Sequence, residues 1–411
     1  MIRRRHVIYV EGYDPQGAKG YYRLFERGWS RFLKLWPLRA LLGPLAVESR
    51  DFARWDVELA GPNWTVDTRY DFLRQEHIIR GNMAEPLWRQ LPRAMAWAAD
   101  YILSGALFRV MRASGYFGSV LLYFQTMLLL WLGLSIAGGW LAGLAASHFA
   151  GVPLAGNIVI GTGIALINFV LLRQLALRWF VIQINNHWPH LCAFARGEPT
   201  CFDAPIEACA QRLVAAAKAN EADEIVVIGH SGGGALAPAV VVRALEIDPD
   251  VGRRGPPVVL LTLGSIAPGA ALHPRAGKLR SLFGRMAIEP SVRWIDCQTR
   301  LDVMNFWDFD PVSGIGVEAG PERCNPLIWN LRLRDMLKDE FINRNRLDFF
   351  RLHYQFIMAN DKRAPYDFFM LVCGPLPVTE WARDPLAVLD RFAADGALSS
   401  EANVASANAR I

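Results

Sequence analysis

The sequence predicts an α/β protein whose mainly parallel sheet carries helices on both faces and is interrupted by a two-helix transmembrane hairpin. Three observations point there. Short apolar runs bounded by turn residues, PPVVLLTLGSIAP (256–268) and SVRWIDCQT (291–299), read as buried parallel strands alternating with helices. The segment PIEACAQRLVAAAKANEADEIVVIGHSGGGALA reads as helix, turn, strand, sharp turn and helix. Between Arg112 and Arg173 there is no Asp, Glu, Lys or Arg at all.

That uncharged stretch holds two apolar runs, 119–146 and 154–172. A helix needs about 20 residues to cross roughly 30 Å of hydrocarbon, so the first run is long enough and the second just reaches. A pair of buried core helices is the competing reading, and two consecutive uncharged spans argue against it. Arg109 and Arg112 precede the first span and Arg173 and Arg178 follow the second, while the connection ASHFAGVP has no Lys or Arg. The positive-inside rule then puts both ends in the cytoplasm. Gly139 and Gly143 form a GxxxG pattern that allows close helix approach, either within the hairpin or against a second copy in a homo-oligomer.

The polar parts flank this hairpin. RHVIYVEGYDPQG begins as a strand and breaks at Gly12. YYRLFERGWSRFLKLW (21–36) is an amphipathic helix with Arg23, Arg27 and Arg31 on one side and Phe25, Trp29, Phe32 and Trp36 on another. It suits either the headgroup region of a membrane or the face of its own sheet. Residues 55–61 and 64–73 read as strands, and 84–114 as helix interrupted near Pro92. The expected division is 1–100 and 186–394 for the two parts of one α/β domain, 101–185 for the membrane segment, and 395–411 for a disordered polar tail.

Composition narrows the function. The 411 residues suffice for one large domain with an insertion, or for two domains. A 52 % hydrophobic content is high for a soluble chain, and a net charge of +5 is too weak to argue for nucleic acid. Six cysteines without a CxxC make no disulfide framework, which suits a reducing compartment. His187, His190 and Cys192 in HWPHLC match no structural-zinc spacing, so no metal is expected.

The chemistry centres on Ser231. A G-x-S-x-G pattern gains force from its context, a strand followed by a turn so tight that small neighbours are required, then a helix. EIVVIG, Gly229, Gly233 and GALAPAVVVRAL supply all of these. A phosphate-binding loop is the rival, but GKS, GKT and the GxGxxG spacing are all missing.

VIYVEGYDP, GHSGG, LLTLGSIAP, WIDCQTRLDV and RLHYQF, in that order, make the chain resemble the α/β-hydrolase superfamily, and within it lipase-like esterases. The resemblance covers about residues 1–80 and 200–375, with the hairpin as an insertion ahead of the nucleophile strand. It implies a triad in the order serine, acid, histidine. Of eight histidines, His230 lies inside the turn and His273 follows too soon, which leaves His353. For the acid the choice is Asp302, first, or Asp310, each followed by two non-polar residues; Asp296 lies within its strand and reads as structural. The resemblance also implies an oxyanion hole from the backbone amides of Gly232 and Tyr13, although Glu11 stands where many relatives carry a histidine.

The expected protein is therefore a membrane-anchored serine hydrolase cleaving carboxylic, including lipid, esters through an acyl-enzyme on Ser231, with no cofactor. Its expected partners are the lipid bilayer and an acyl ester. Its expected place is a bacterial inner membrane, with the hydrolase domain in the cytoplasm. A thioesterase, amidase or acyltransferase would use the same residues, and a catalytically silent membrane adaptor would use none of them.

Overall fold

In the computed structural model, which describes residues 1–346 and 348–399, one sheet organises the chain. Its strands are β1 (Arg4–Val10), β2 (Arg39–Leu42), β3 (Ala46–Val47), β4 (Phe52–Gly61), β5 (Trp64–Leu73), β6 (Glu224–His230), β7 (Val258–Leu263), β8 (Val292–Thr299) and β9 (Leu327–Leu331). The order across the sheet is β2-β4-β5-β1-β6-β7-β8-β9, with β3 also paired to β4. From β5 through β9 every neighbouring pair is parallel, whereas β2, β3 and β5 pair antiparallel with β4. The α/β class is thus present, with helices covering both faces.

The alternation of side chains divides two cores. Ile8, Val10, Ile225 and Val227 point into one, and Val7, Tyr9, Val226 and Ile228 into the other. Burial on both faces is the reason these central strands are almost continuously apolar.

The helices up to β6 are α1 (Gly17–Leu35), α2 (Glu76–Ala84), α3 (Leu87–Leu103), α4 (Ala106–Ala113), α5 (Gly115–Ala150), α6 (Leu154–Arg178), α7 (Val181–Arg196) and α8 (Asp203–Ala219). Beyond it come α9 (Gly233–Ile247), α10 (Ala267–Ala271), α11 (Gly277–Ile288), α12 (Leu333–Met336), α13 (Asp339–Asn345), α14 (Phe349–His353), α15 (Phe368–Cys373), α16 (Val378–Arg383) and α17 (Pro385–Asp390).

Helices α5 and α6 are long and apolar enough to cross a membrane. None of the most apolar window of α6 is buried inside the protein, which a core helix would not tolerate. The first third of α5 behaves differently: Phe117, Val120, Leu121 and Phe124 are buried against the α/β body. The opposite side of this stretch, at Tyr116 and Leu122, is already exposed, and the exposed apolar surface continues along the helix at Leu129, Leu130 and Leu134. Both helices extend beyond the expected 119–146 and 154–172.

Several local expectations are corrected. The break in the 84–114 segment falls at Glu85–Pro86 and again at Ser104–Gly105, where Gly105 takes a left-handed φ of 72°. Pro92 lies inside α3 without ending it. The aromatic stripe of α1 faces the protein's own core, with Phe32 and Trp36 fully buried, so only its arginine side is left outward. The Gly139/Gly143 face is taken up within the hairpin: a Cβ on Gly143 would sit 3.0 Å from the Asn157 carbonyl, and one on Gly139 2.7 Å from the Ala165 Cβ. Of the tail expected to be disordered, residues 400–411 lie outside the described residues, while Leu398 within 395–399 bridges to Phe392.

The topology also places a crevice. After β1 the chain turns to β2–β5 on one side; after β6 it continues to β7 on the other. Val10 and Gly229 are neighbours at the ends of these diverging strands. Open parallel sheets bind ligands outside the carboxyl ends of strands at such a point.

Candidate active site

Ser231 occupies that crevice, between β6 and α9, with φ at 57° in the left-handed region. A non-glycine residue there is uncommon and stores of the order of 1–3 kcal/mol of strain, so the surroundings must hold it. Its amide donates to the Leu263 carbonyl at 3.0 Å, and its carbonyl accepts from the amides of Gly234 at 3.1 Å and Ile266 at 3.3 Å. The small neighbours have a steric cause: a Cβ on Gly229 would stand 2.5 Å from the Gly233 carbonyl oxygen, and one on Gly233 would meet the Val10 carbonyl.

His353 arrives from α14, and its Nδ1 lies 2.6 Å from Asp302 Oδ2, just past the end of β8. Both side chains are buried. Asp302 Oδ1 accepts the Met304 amide at 2.8 Å, so each carboxylate oxygen has a fixed partner. The other ring nitrogen, His353 Nε2, is buried and has no hydrogen-bond partner among the described residues. It belongs to a cavity of about 40 Å³ whose lining includes Ser231, Gly12, Tyr13, His187 and His230. No hydrogen bond joins Ser231 Oγ to His353 Nε2 here; contacts of this kind often tighten only when substrate is bound.

His230 supports the histidine from below. Its ring stacks on His353 with centroids 4.9 Å apart, and its Nε2 lies 3.3 Å from the His353 carbonyl. Burial, and next the neighbouring His353, push its pKa well below the ordinary histidine value, so this second imidazole stays neutral.

The two other aspartates are engaged elsewhere. Asp310 holds Arg323 Nη2 through both oxygens, at 2.8 and 2.7 Å, and accepts the Val312 amide at 2.8 Å. Burial works against its ionisation, but the Val312 amide and Arg323 outweigh it and keep the carboxyl below its usual value. The acid that touches His353 is thus Asp302 and not Asp310. Asp296 is bound by Thr262 and by Gln298 Nε2, and burial pushes it up to about 6.

A second Ser–His–Asp group makes an instructive contrast. His273 Nε2 lies 3.0 Å from Asp100 Oδ2 and 3.2 Å from Ser104 Oγ, while its Nδ1 accepts the Arg275 amide at 3.2 Å. Acid and serine share one nitrogen and the other is occupied, so this imidazole has no free edge with which to relay a proton.

Beside Ser231, the amides of Gly232 and Tyr13 donate to no backbone carbonyl among the described residues. Gly12 lets the two loops meet: a Cβ there would be 3.2 Å from both the Gly232 amide nitrogen and the Ser231 Cβ. The Tyr13 carbonyl accepts from Gln183 Nε2 at 2.6 Å, tying the loop to α7.

Two groups at the site escaped the sequence reading. His187 was considered there only as part of a zinc pattern, yet it stacks on Tyr13 at 4.8 Å, and a Cβ on Gly232 would come within 2.7 Å of its Cε1. Burial, then His190, pushes its pKa down to about 3, so a neutral ring borders the two amides. Cys192 turns away to the Tyr101 hydroxyl at 3.5 Å, and no set of three or more His, Cys, Asp or Glu able to hold a metal occurs among the described residues. The second group is acidic. Glu11 is fully buried, and burial, with Asp14 and Glu76 nearby, raises it well above the usual carboxylate range. Asp14 accepts a hydrogen bond from the Tyr354 hydroxyl. Two carboxyls straddling a glycine directly after a strand were the available signal.

A larger cavity, about 750 Å³, lies at the opposite end of the sheet, lined by residues including Arg4, Arg5, Asp67 and Arg212, and shares no residue with the Ser231 site. No family model, curated protein or solved structure matched the chain.

Proposed function

We propose that this protein is a membrane-anchored serine hydrolase with an α/β-hydrolase fold, cleaving carboxylic esters through an acyl-enzyme on Ser231. One observation carries the reading: an imidazole fixed on Asp302 at 2.6 Å keeps its second nitrogen unpaired in the cavity that a left-handed serine lines at a strand-to-helix turn. In the first step Ser231 Oγ passes its proton to His353 Nε2 and bonds to the acyl carbon. The resulting oxyanion lies toward the Gly232 and Tyr13 amides. The imidazolium then gives the proton to the departing alcohol as the carbon–oxygen bond breaks. Water, deprotonated by the same nitrogen, then bonds to the acyl carbon, the bond to Ser231 Oγ breaks, and the imidazolium returns the proton to Oγ as the acid leaves. Asp302 holds the tautomer and stabilises the cation.

The hairpin formed by α5 and α6 is the anchor, and the arginines at its feet, Arg109, Arg112, Arg173 and Arg178, orient the catalytic body to the cytoplasm. The test is labelling by a fluorophosphonate in membranes. Label is expected on Ser231 and absent from Ser231→Ala; equal labelling of the two proteins, or none of either, sinks the reading.

A further inference from the structure

A second cavity, of about 250 Å³, adjoins the first and shares Tyr21, Phe350 and Tyr354 with it. Its other walls include Gly20 and Leu24 of α1 and Phe180, the residue between α6 and α7. Phe180 adopts φ 60° and ψ 12°, a conformation that a bulky side chain rarely takes. Its ring stacks on Phe350 with centroids 3.9 Å apart. Phe350 also faces Phe124 of α5 at 6.4 Å. Phe350 therefore stands with Tyr21 and Tyr354 between the outer cavity and the cavity of Ser231, and Phe180 backs it from the outer side at the foot of the hairpin.

Position and charge narrow the occupant. Phe180 follows Arg178 and the half-exposed Trp179, the residue types that lie at the boundary between hydrocarbon and headgroups. Along α1, Gly20, Leu24, Arg27 and Arg31 fall on one face, so the wall of the cavity continues into cations. Arg351 lines the cavity itself. Burial, and then the charges of Arg31 and Arg27, hold it below the usual guanidinium value. Arg31 is paired with Asp361 at 2.6 Å, whereas Arg27 and Arg351 bond no carboxylate among the described residues. Asp348 lines the same cavity and spends one oxygen on the Arg351 amide.

We propose that this cavity takes an acyl chain of an anionic membrane phospholipid, with its phosphate at Arg27 and Arg351, and that Phe350, backed by Phe180, partitions the chain from Ser231. The assignment rests on the membrane-anchored hydrolase reading and names its substrate class. Both cavities together stay below the roughly 300–1,000 Å³ that encloses a drug-sized ligand, which suits a chain entering with its headgroup left outside.

The test is photo-crosslinking of the full-length Ser231→Ala protein in vesicles of phosphatidylglycerol bearing a diazirine in the acyl chain, beside the phosphatidylcholine analogue. Adducts on the peptides containing Leu24 and Phe350 are expected, with yield falling at least about fivefold in Arg351→Glu. Leu24→Trp, which fills the cavity, should lose the adducts as well; Arg351→Glu serves alone if that variant does not fold. Adducts confined to the outward faces of α5 and α6, or equal yields with phosphatidylcholine, overturn the proposal. Fluorophosphonate labelling of the wild type separates the two readings. An unlabelled Ser231 with adducts retained defeats the hydrolase and supports the lipid site, while a labelled Ser231 without adducts defeats the lipid site alone.

Discussion

His353 Nδ1 lies 2.6 Å from Asp302 Oδ2, a bond that joins positions 51 residues apart at the carboxyl end of the sheet. If this bond sets the tautomer that leaves Nε2 as the base, Asp302→Asn should keep the fold and lower kcat by about 10⁴-fold, the scale of such a change in serine proteases. Asp310→Asn should leave turnover near wild type and cost about 1 kcal/mol or less of stability, since its partly exposed pair with Arg323 is remote from His353. Steady-state kinetics on a soluble ester, beside thermal midpoints, check both. Loss of turnover in Asp310→Asn alone would transfer the role.

The contact between Gly232 and His187 gives a second test. A methyl on Gly232 would press on the imidazole at 2.7 Å from Cε1 and 3.0 Å from Nε2, moving the amide next to Ser231. Gly232→Ala should lower kcat/KM by about 10²-fold, in the range for losing one oxyanion donor. In a His187→Ala background the clash is relieved, and the same substitution should cost less than about tenfold. Equal losses in both backgrounds would show that His187 is not what the methyl strikes.

Much of this site was legible in the sequence because local rules left few choices. The glycines around Ser231 are required by backbone carbonyls within van der Waals distance, and such crowding leaves a mark on composition. The hydrogen bond between His353 and Asp302 agrees with the order serine, acid, histidine that the resemblance to α/β-hydrolases implies. The role of His187 was not legible, because it depends on α7 returning from the hairpin over the β1 loop, and those of Glu11 and Asp14 were not, because they depend on Gln75 and Tyr354 reaching that loop from distant parts of the chain. The inward turn of the α1 aromatic stripe was hidden for a related reason. Amphipathic helices look alike whether the apolar face meets lipid or a sheet, and the choice was made by β4, β5 and α15 offering Trp55, Tyr70 and Phe369.

Asp296 sets a pH dependence of stability. Its carboxyl is pushed up to about 6 by burial, against roughly 3.9 in an unfolded chain. Because the folded value is the higher one, the folded state binds the proton more tightly, and this contribution is complete below about pH 4. It is lost as pH rises through 6, where the buried group must ionise, and amounts to about 3 kcal/mol. The thermal midpoint in detergent should fall between pH 4 and 7 in the wild type and fall less in Asp296→Asn. A variant with an unchanged slope would assign the effect to another buried acid such as Asp367, which burial also pushes up to about 6.

Gly139 decides what the GxxxG face is for. A Cβ there would meet the Gly161 carbonyl and stand 2.7 Å from the Ala165 Cβ, and Trp131 Nε1 donates to the Phe169 carbonyl at 3.0 Å in the same seam. Without a hydrophobic drive between helices in lipid, such close packing and hydrogen bonding hold a hairpin together. Gly139→Ile should therefore destabilise the protein by about 1–3 kcal/mol, the usual cost of overpacking, and lower its thermal midpoint in detergent. Its mass by light scattering should equal that of the wild type in the same detergent. A change of mass with an unaltered midpoint would mean that the glycines serve a contact between chains, and α6 would then have to be displaced from them.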